Sequence, residues 1–480
     1  MAMRRAIWLT IGILVSVAGH GVAAGEAAAA AVPGRATVTQ DQQRDVAVTI
    51  YNGNLGLVKD IRELALGSGV HEVKFMDVAS QIDPATVHLK SLTDAAGVRI
   101  LEQNYEYDLL NPQKLMDKYV GKKVKLMVGD GSLIDAVLMS NNNGPIYQIN
   151  GQIHLGHHGR VILPDLPDNL IPKPTLVWLL QNRAGRPQRV EASYLTTGIN
   201  WKADYVVVLN AKDNGGDLSG WVTVDNKSGA TYTDAALKLV AGDVNRARGR
   251  HEMRDALEGA AKAAAAAPAR QFQQESFFEY HLYSLDGRTT IKNNQMKQIS
   301  LLNITEIPIK KELRFYGAAQ YYRSQWGTPI SNQKVSVFLE IANKEQHRLG
   351  IPLPKGVIRV YKAAADQSLQ FIGEDTIDHT PKDEKVKIKM GEAFDVVGER
   401  TQRDWRKIAS SVYETEWDVQ IRNHKKEDAE VTLIEPVPGD WEMVRSSHPH
   451  EKIEAHTLQY VVKVPQDGKV TVNYRVRMRW

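Results

Sequence analysis

Between residues 371 and 390 the chain reads "FIGEDTIDHTPKDEKVKIKM", which sets five carboxylates, Glu374, Asp375, Asp378, Asp383 and Glu384, around His379. Imidazole and carboxylate side chains ligate zinc and exchange protons, so this stretch is the first place to look for a metal or acid–base centre. A zinc site needs about three or four ligands near 2.0–2.2 Å. Extended backbone works against that. Each strand residue advances about 3.3 Å, so Asp375 and His379 stand about 13 Å apart, and Asp378 and His379 point to opposite faces. Only His379, Asp383 and Glu384, returned by a turn at Pro381, are placed to meet. A further ligand must come from elsewhere, and His281 in "FEYHLYSL" is the nominee. The competing reading is a solvated hairpin of 371–378 and 385–390. Val386, Ile388 and Met390 then face a core, and Lys385, Lys387 and Lys389 pair outward with the acids across the strands.

Other chemistry-bearing residues form weaker patterns. His157 and His158 are adjacent and would diverge on a strand. His448 and His450 flank Pro449 in a polar loop, with His424 and His456 further off. The 480 residues contain no cysteine, which excludes thiol catalysis, disulfides and a lipid anchor on an N-terminal cysteine. No nucleophile elbow or phosphate-binding glycine loop is present. No cofactor is expected.

The elements that would position these residues read as strands. Alternation is plain in "VAVTIYN" from Val46, and strands recur about every ten residues beyond residue 176, the rhythm of a sandwich. Residues 46–175 read as an N-terminal β domain with an insert at about 105–163. The insert's short strands and tight "GDG", "NNNG" and "NG" turns suggest a small closed barrel. A proline-rich stretch, 164–175, reads as a linker. Two immunoglobulin-like sandwiches follow, 176–317 and 330–480, the first interrupted by an alanine-rich excursion at 246–275. The fold class is thus mainly β and multi-domain. Residues 221–243 echo 417–440: each runs Trp, alternating strand, Asn with Lys, polar turn, strand and Gly-Asp.

The chain's first 24 residues have the form of a secretory signal: Arg4 and Arg5, an apolar run at 6–19, and small residues up to Ala24. Residues 25–45 then read as a flexible linker. No later run reaches the roughly 18 apolar residues of a spanning helix. The expected destination is the periplasm, with the outer membrane or the medium as alternatives. Net charge of +4 without a basic, aromatic-rich face argues against nucleic acid. The C-terminal "VTVNYRVRMRW" alternates like an outer-membrane strand, but most strands are too short and too charged for a barrel.

The stretches "YNGNLGLVKDIREL", "YLTTGINWKADY", "GWVTVDNKSGATYTDAALKLVAGDVNR", "EYHLYSL", "LGIPLPKGVIRVY", "FIGEDTIDHTPKDE" and "GEAFDVVGER" are similar to bacterial exported proteins that carry domain of unknown function 4139. Mucoidy inhibitor A-like proteins share that domain but precede it with a coiled coil that this chain lacks. The resemblance implies an all-β exported protein with no catalytic residues to carry over. It nominates Glu374, Asp375, Asp378, Phe394 and Asp395 as a shared surface. The expectation is a non-catalytic envelope protein that binds a protein or glycan partner. Its alternatives are a metal-dependent hydrolase acting on envelope material, using His379, Asp383, Glu384 and His281, and an outer-membrane or surface-attached component. Trp201, Trp326 and Trp441 are candidate partner anchors or core residues.

Overall fold

The computed structural model describes residues 33–106, 110–156, 159–165, 171–242, 245 and 271–479. The signal segment, the His157–His158 pair and residues 246–270 of the alanine-rich stretch lie outside the described residues. The fold is mainly β, and the described residues form five sheets, none of them closed into a barrel.

Structure begins earlier than the sequence suggests. Gly34–Val38 runs parallel to Gly69–Met76. A single 3-10 turn, Gln40–Gln42, capped by the Thr39 hydroxyl, leads into Gln43–Tyr51. The linker expected over 25–45 is therefore ordered from 34 onward, because Val38 is buried and its carbonyl accepts a hydrogen bond from Arg62.

Long-range pairing crosses the linear divisions. A four-stranded sheet orders Gly34–Val38, Gly69–Met76, Thr175–Asn182 and Val98–Glu106. A seven-stranded sheet mixes Gln43–Tyr51 and Leu55–Leu64 with Gln188–Thr196, Tyr232–Ala241 and Tyr280–Ile291, with His88–Ser91 and Phe272–Phe277 at its edges. The boundary drawn at 175 thus runs through shared sheets, and residues 272–275 belong to a strand rather than to the excursion. The central five-stranded sheet orders Gln295–Pro308, Gly215–Asn226, Ile199–Leu209, Gly356–Ala363 and Leu369–Ile377. Here Gly356–Ala363 pairs in parallel with Ile199–Leu209, drawing residues from beyond 330 back into the preceding sheet. One continuous core, including Phe75, Trp178, Val190, Tyr205, Val222 and Val360, lies between these three sheets.

The insert is a capped helix, Pro112–Lys118, and a separate sheet. Its order is Gln152–Leu155, Ile146–Ile149, Leu133–Ser140, Lys123–Met127 and Val161–Ile162. It has its own small core of Val124, Leu126, Leu138 and Tyr147. Among the described residues this sheet does not close on itself, so the small closed barrel read from its tight turns is not formed.

The nine-stranded C-terminal sheet is welded to the central one. Its strands Ile330–Ala342 and Lys385–Ala409 place Leu339, Ile341, Val386 and Ile388 in the large core. The same strands place Val335, Ala393 and Val396 in a second core with Trp417, Val431, Tyr460 and Val476.

A buried asparagine closes several of these strands. Asn226 Nδ2 donates to the Ala230, Ile291 and Lys292 carbonyls, and its Oδ1 accepts from Ser228 N. Asn423 repeats the scheme with Glu427, Val464 and Pro465, accepting from Lys425 N. Asn182 does so with Leu66, Gly67 and Arg186, accepting from Ala184 N. The amide satisfies loop carbonyls that would otherwise be buried without partners. This shared device underlies the echo between 221–243 and 417–440.

Buried tyrosines set the alkaline limit of stability. Burial pushes Tyr194, Tyr205, Tyr322 and Tyr474 well above the ordinary phenol value. With folded values raised above an unfolded value of about 10, their contribution is fully present below that pH and is lost as pH rises beyond it. Urea midpoints are expected to fall steadily above about pH 10. A flat profile up to pH 12 would contradict the burial of these hydroxyls.

Candidate functional site

The expected 371–390 hairpin does not form as a ladder. Leu369–Ile377 pairs with Gly356–Ala363 in the central sheet, whereas Lys385–Ala409 pairs with Ile330–Ala342 and Val412–Asn423 in the nine-stranded sheet. The intervening turn carries the chain from one sheet to the other. The two strands still lie side by side: Asp375 Oδ2 accepts from Lys389 N at 2.7 Å, and Gly373 sits against Met390. Val386 and Ile388 are buried as their alternation predicts.

The turn itself is clasped by another buried asparagine. Asn343 Nδ2 donates to Pro381 and Ile351 carbonyls, both at 2.7 Å, and its backbone bonds Asp383 N and Glu384 O. Asp383 takes the left-handed conformation, φ 69°, that this return requires. His379 Nδ1 accepts from Lys355 N at 3.2 Å, beside the Leu353–Thr380 bridge. His281 lies on the seven-stranded sheet, where the Gln274 amide donates to its Nδ1 at 2.9 Å and burial lowers its pKa from the ordinary value. Among the described residues no group of three or more His, Asp or Glu side chains is spaced to hold a metal ion. The nominated set of His379, Asp383, Glu384 and His281 is therefore divided: the first three share a turn, and the fourth sits on another sheet.

The lysines also find partners other than those expected. Lys385 pairs with Glu340 at 2.7 Å and Lys389 with Glu392 at 3.2 Å. Glu374 instead ends a polar row that crosses the central sheet. Gln298 donates to Thr223, Thr223 to Asp204, and Arg359 to Asp204 at 3.3 Å and Glu374 at 3.0 Å. Asp378 is exposed, and its carbonyl accepts from the Thr380 hydroxyl. Asp395 is exposed, and its carbonyl accepts from His424 N.

Phe394 is the residue of this group with an unusual setting. Ser336 pairs with Glu392 and Lys334 with Val397, so residues 393–396 bulge opposite Val335 alone. A bulge re-aims side chains. This one turns Ala393 and Val396 into the core and leaves Phe394 92% exposed. Leu369, Phe371 and Ile372 are exposed on the neighbouring strand, which is the outer strand of the central sheet. The pairs 375/389 and 373/390 progress so that Phe371 and Phe394 lead in the same direction from the crossing. By contrast, Trp201 and Trp441 are buried, and Trp326 is half-buried against Tyr321 at 5.3 Å, so none of these tryptophans is an exposed anchor.

Sequence reasoning passed over a buried polar network in the C-terminal sheet. Arg400 donates to Glu435 from Nε at 3.2 Å and Nη2 at 2.8 Å, and its guanidinium lies 3.9 Å from the Phe315 ring centroid. Tyr322 donates to Glu435 at 2.9 Å and shares a 2.6 Å hydrogen bond with Tyr474. Arg400 and Glu435 side chains are each 1% exposed. A second buried pair, Arg62 with Asp60 at 2.7 Å, ties Leu55–Leu64 to the carbonyls of Val38 and Met76. Both networks are completely enclosed, which makes them structural ties between strands rather than accessible chemistry.

A mainly β chain with a bulged, aromatic-bearing strand crossing is the setting in which the comparison with known families falls. Residues 190–480 match the model of a domain of unknown function, DUF4139, and the chain belongs to this family. The match takes in the whole central and nine-stranded sheets, including Phe371 and Phe394, but leaves out the strands Gln43–Tyr51 and Leu55–Leu64 of the seven-stranded sheet. No curated protein matches the chain.

Proposed function

We propose that this is an exported envelope protein with a non-catalytic role, binding a partner through the surface formed by Leu369–Ile377 and the 393–396 bulge. The observation that carries this reading is the exposure of Phe394 at 92% together with Leu369, Phe371 and Ile372 on an outer strand. Large apolar side chains left exposed on two neighbouring strands mark interaction sites. Aromatic and aliphatic anchors of this kind favour the apolar side chains of a protein over a hydroxyl-rich glycan as the partner. The sequence form of residues 1–24 supports export, with the periplasm as destination. Fractionation decides between that compartment and outer-membrane attachment.

The test compares wild-type protein with a Phe371→Ser/Phe394→Ser variant, each immobilised and exposed to envelope extract and to purified cell-wall glycan. Exposed sites tolerate such changes within about 0.5 kcal/mol, so the variant stays folded. Loss of one or two central aromatic anchors typically weakens binding by 10-fold or more, on the order of 2 kcal/mol each. A retained protein that the variant releases supports the reading. Equal retention by both forms, or no retention by either, counts against it.

A further inference from the structure

A second exposed surface lies on the insert, whose sheet has a core of its own. Val124, Leu126, Ala136, Leu138 and Tyr147 turn inward, against Tyr119 at the end of the helix. Alternation sends their neighbours to the outer face. There Ile153 registers with Gln148, Gln148 with Val137, and Val137 with Lys123, while Leu155 registers with Ile146. The register slips between Leu138 and Ser140, and the bulged Met139 is left out of the core. Leu155 is 83% exposed, Ile153 59% and Met139 46%, around half-buried Val137 and Ile146. All four residues of the outer strand, Gln152–Leu155, are exposed.

The charges about this patch are mostly of one sign. Residues 136–164 contain no Asp or Glu, and Arg160 is the one Lys or Arg among them. Lys123 and Lys125 are exposed on the same outer face. Their strand lies three spacings from Gln152–Leu155, about 14 Å. Asp135, opposite Lys125, is the acid of this face among the described residues. Apolar side chains flanked by lysines on one face suit the boundary of an anionic bilayer. Aliphatic groups reach about 5–10 Å into that boundary while lysines stay at the phosphates. A second copy of the chain would instead bring its own Lys123 and Lys125 to the patch, with Asp135 as the acid to offset them.

We infer that the outer face of the insert rests on an anionic lipid bilayer, with Met139, Ile153 and Leu155 among the acyl chains and Lys123 and Lys125 at the phosphates. The contact is peripheral: it is made by side chains of one sheet face and needs no spanning segment. It shares no residue with the Phe371–Phe394 surface, so the protein can hold a bilayer and a protein partner at once.

The chain has no cysteine, so Leu155→Cys carries one environment-sensitive fluorophore, and Met296→Cys serves as the comparison. Each is mixed with vesicles of phosphatidylglycerol and phosphatidylcholine in equal parts, and with vesicles of phosphatidylcholine alone. The label at 155 is expected to brighten and shift to the blue on the anionic vesicles, and the label at 296 to stay unchanged. In sedimentation with the anionic vesicles, Ile153→Ser/Leu155→Ser should partition about tenfold more weakly than wild type. Lys123→Gln and Lys125→Gln should each weaken it about fivefold. All these positions are exposed, so thermal unfolding of the variants should match wild type, and the Phe371→Ser/Phe394→Ser form should sediment normally. The inference is overturned by an unchanged label at 155, by equal shifts at 155 and 296, by equal binding to the neutral vesicles, or by unchanged sedimentation of the apolar or the lysine variants. A blue shift at 155 that grows with protein concentration without vesicles would point to a second copy and overturn it too, as would loss of sedimentation in the phenylalanine variant.

Discussion

Arg400→Ala is expected to lower the unfolding free energy by about 3–5 kcal/mol, because it leaves a buried carboxylate without its cation. Glu435 is inaccessible to water, and Arg400 supplies two of its hydrogen bonds while covering the face of Phe315. Among the described residues, Tyr322 is the donor left to the carboxylate, and its hydroxyl is shared with Tyr474. Space around the acid is also fixed, since a Cβ on Gly317 would fall 1.9 Å from Glu435 Oε2. Denaturation followed by tryptophan fluorescence reports the change directly, with Trp417 6.2 Å from Tyr322. The double variant Arg400→Met/Glu435→Leu separates charge from packing. Replacing both members of a buried pair by apolar residues is often neutral or better. Recovery of most of the lost stability is therefore expected. A double variant as unstable as Arg400→Ala would show that the shape of the guanidinium, and not the stranded charge, sets the cost.

Gly356→Val is expected to cost about 1–3 kcal/mol and to abolish partner retention, although residue 356 is not itself part of the aromatic surface. Gly356 pairs with Ala203 across the parallel strands Gly356–Ala363 and Ile199–Leu209. A Cβ there would stand 2.1 Å from the Ala203 carbonyl oxygen, a backbone atom that cannot rotate away. The strand must then move off its neighbour. Leu369–Ile377 is bound to the central sheet only through Gly356–Ala363, so the displaced strand carries Phe371 with it. Urea midpoints and retention from envelope extract check the two parts separately. Lowered stability with unchanged retention would show that the surface does not depend on the position of Leu369–Ile377.

Alternation in the sequence was a good guide to strands and a poor guide to their partners. Val386 and Ile388, or Val472, Tyr474, Val476 and Met478, could be assigned to a core from period two alone, and the structure buries them. Partner choice is a long-range property, and local adjacency misled where 371–378 and 385–390 looked like one hairpin. Asn343 holds their connecting turn so that the chain passes between sheets instead. The same parity argument would have found the buried ion pairs. Arg400 falls in phase with Val396 and Gly398, Glu435 with Val431 and Leu433, and Asp60 and Arg62 with Val58 and Leu64. A charge on the inward phase is a signal of a buried partner. Phe394 was nominated by family resemblance rather than by pattern. Its exposure depends on the bulge at 393–396, which breaks the alternation that would otherwise have turned it inward. The asparagine device was visible only as a faint echo, because its hydrogen bonds reach loops far away in sequence.

The claim that Leu369–Ile377 and the bulge receive a partner is tested most directly in living cells. A photo-crosslinking residue is placed at position 371 or 394, and at position 296 as the comparison. Met296 is 64% exposed on Gln295–Pro308, the opposite edge strand of the same central sheet. A discrete adduct of one mass is expected from both 371 and 394 and none from 296. Absence of an adduct at 371 and 394, or the same adducts from all three positions, would contradict it.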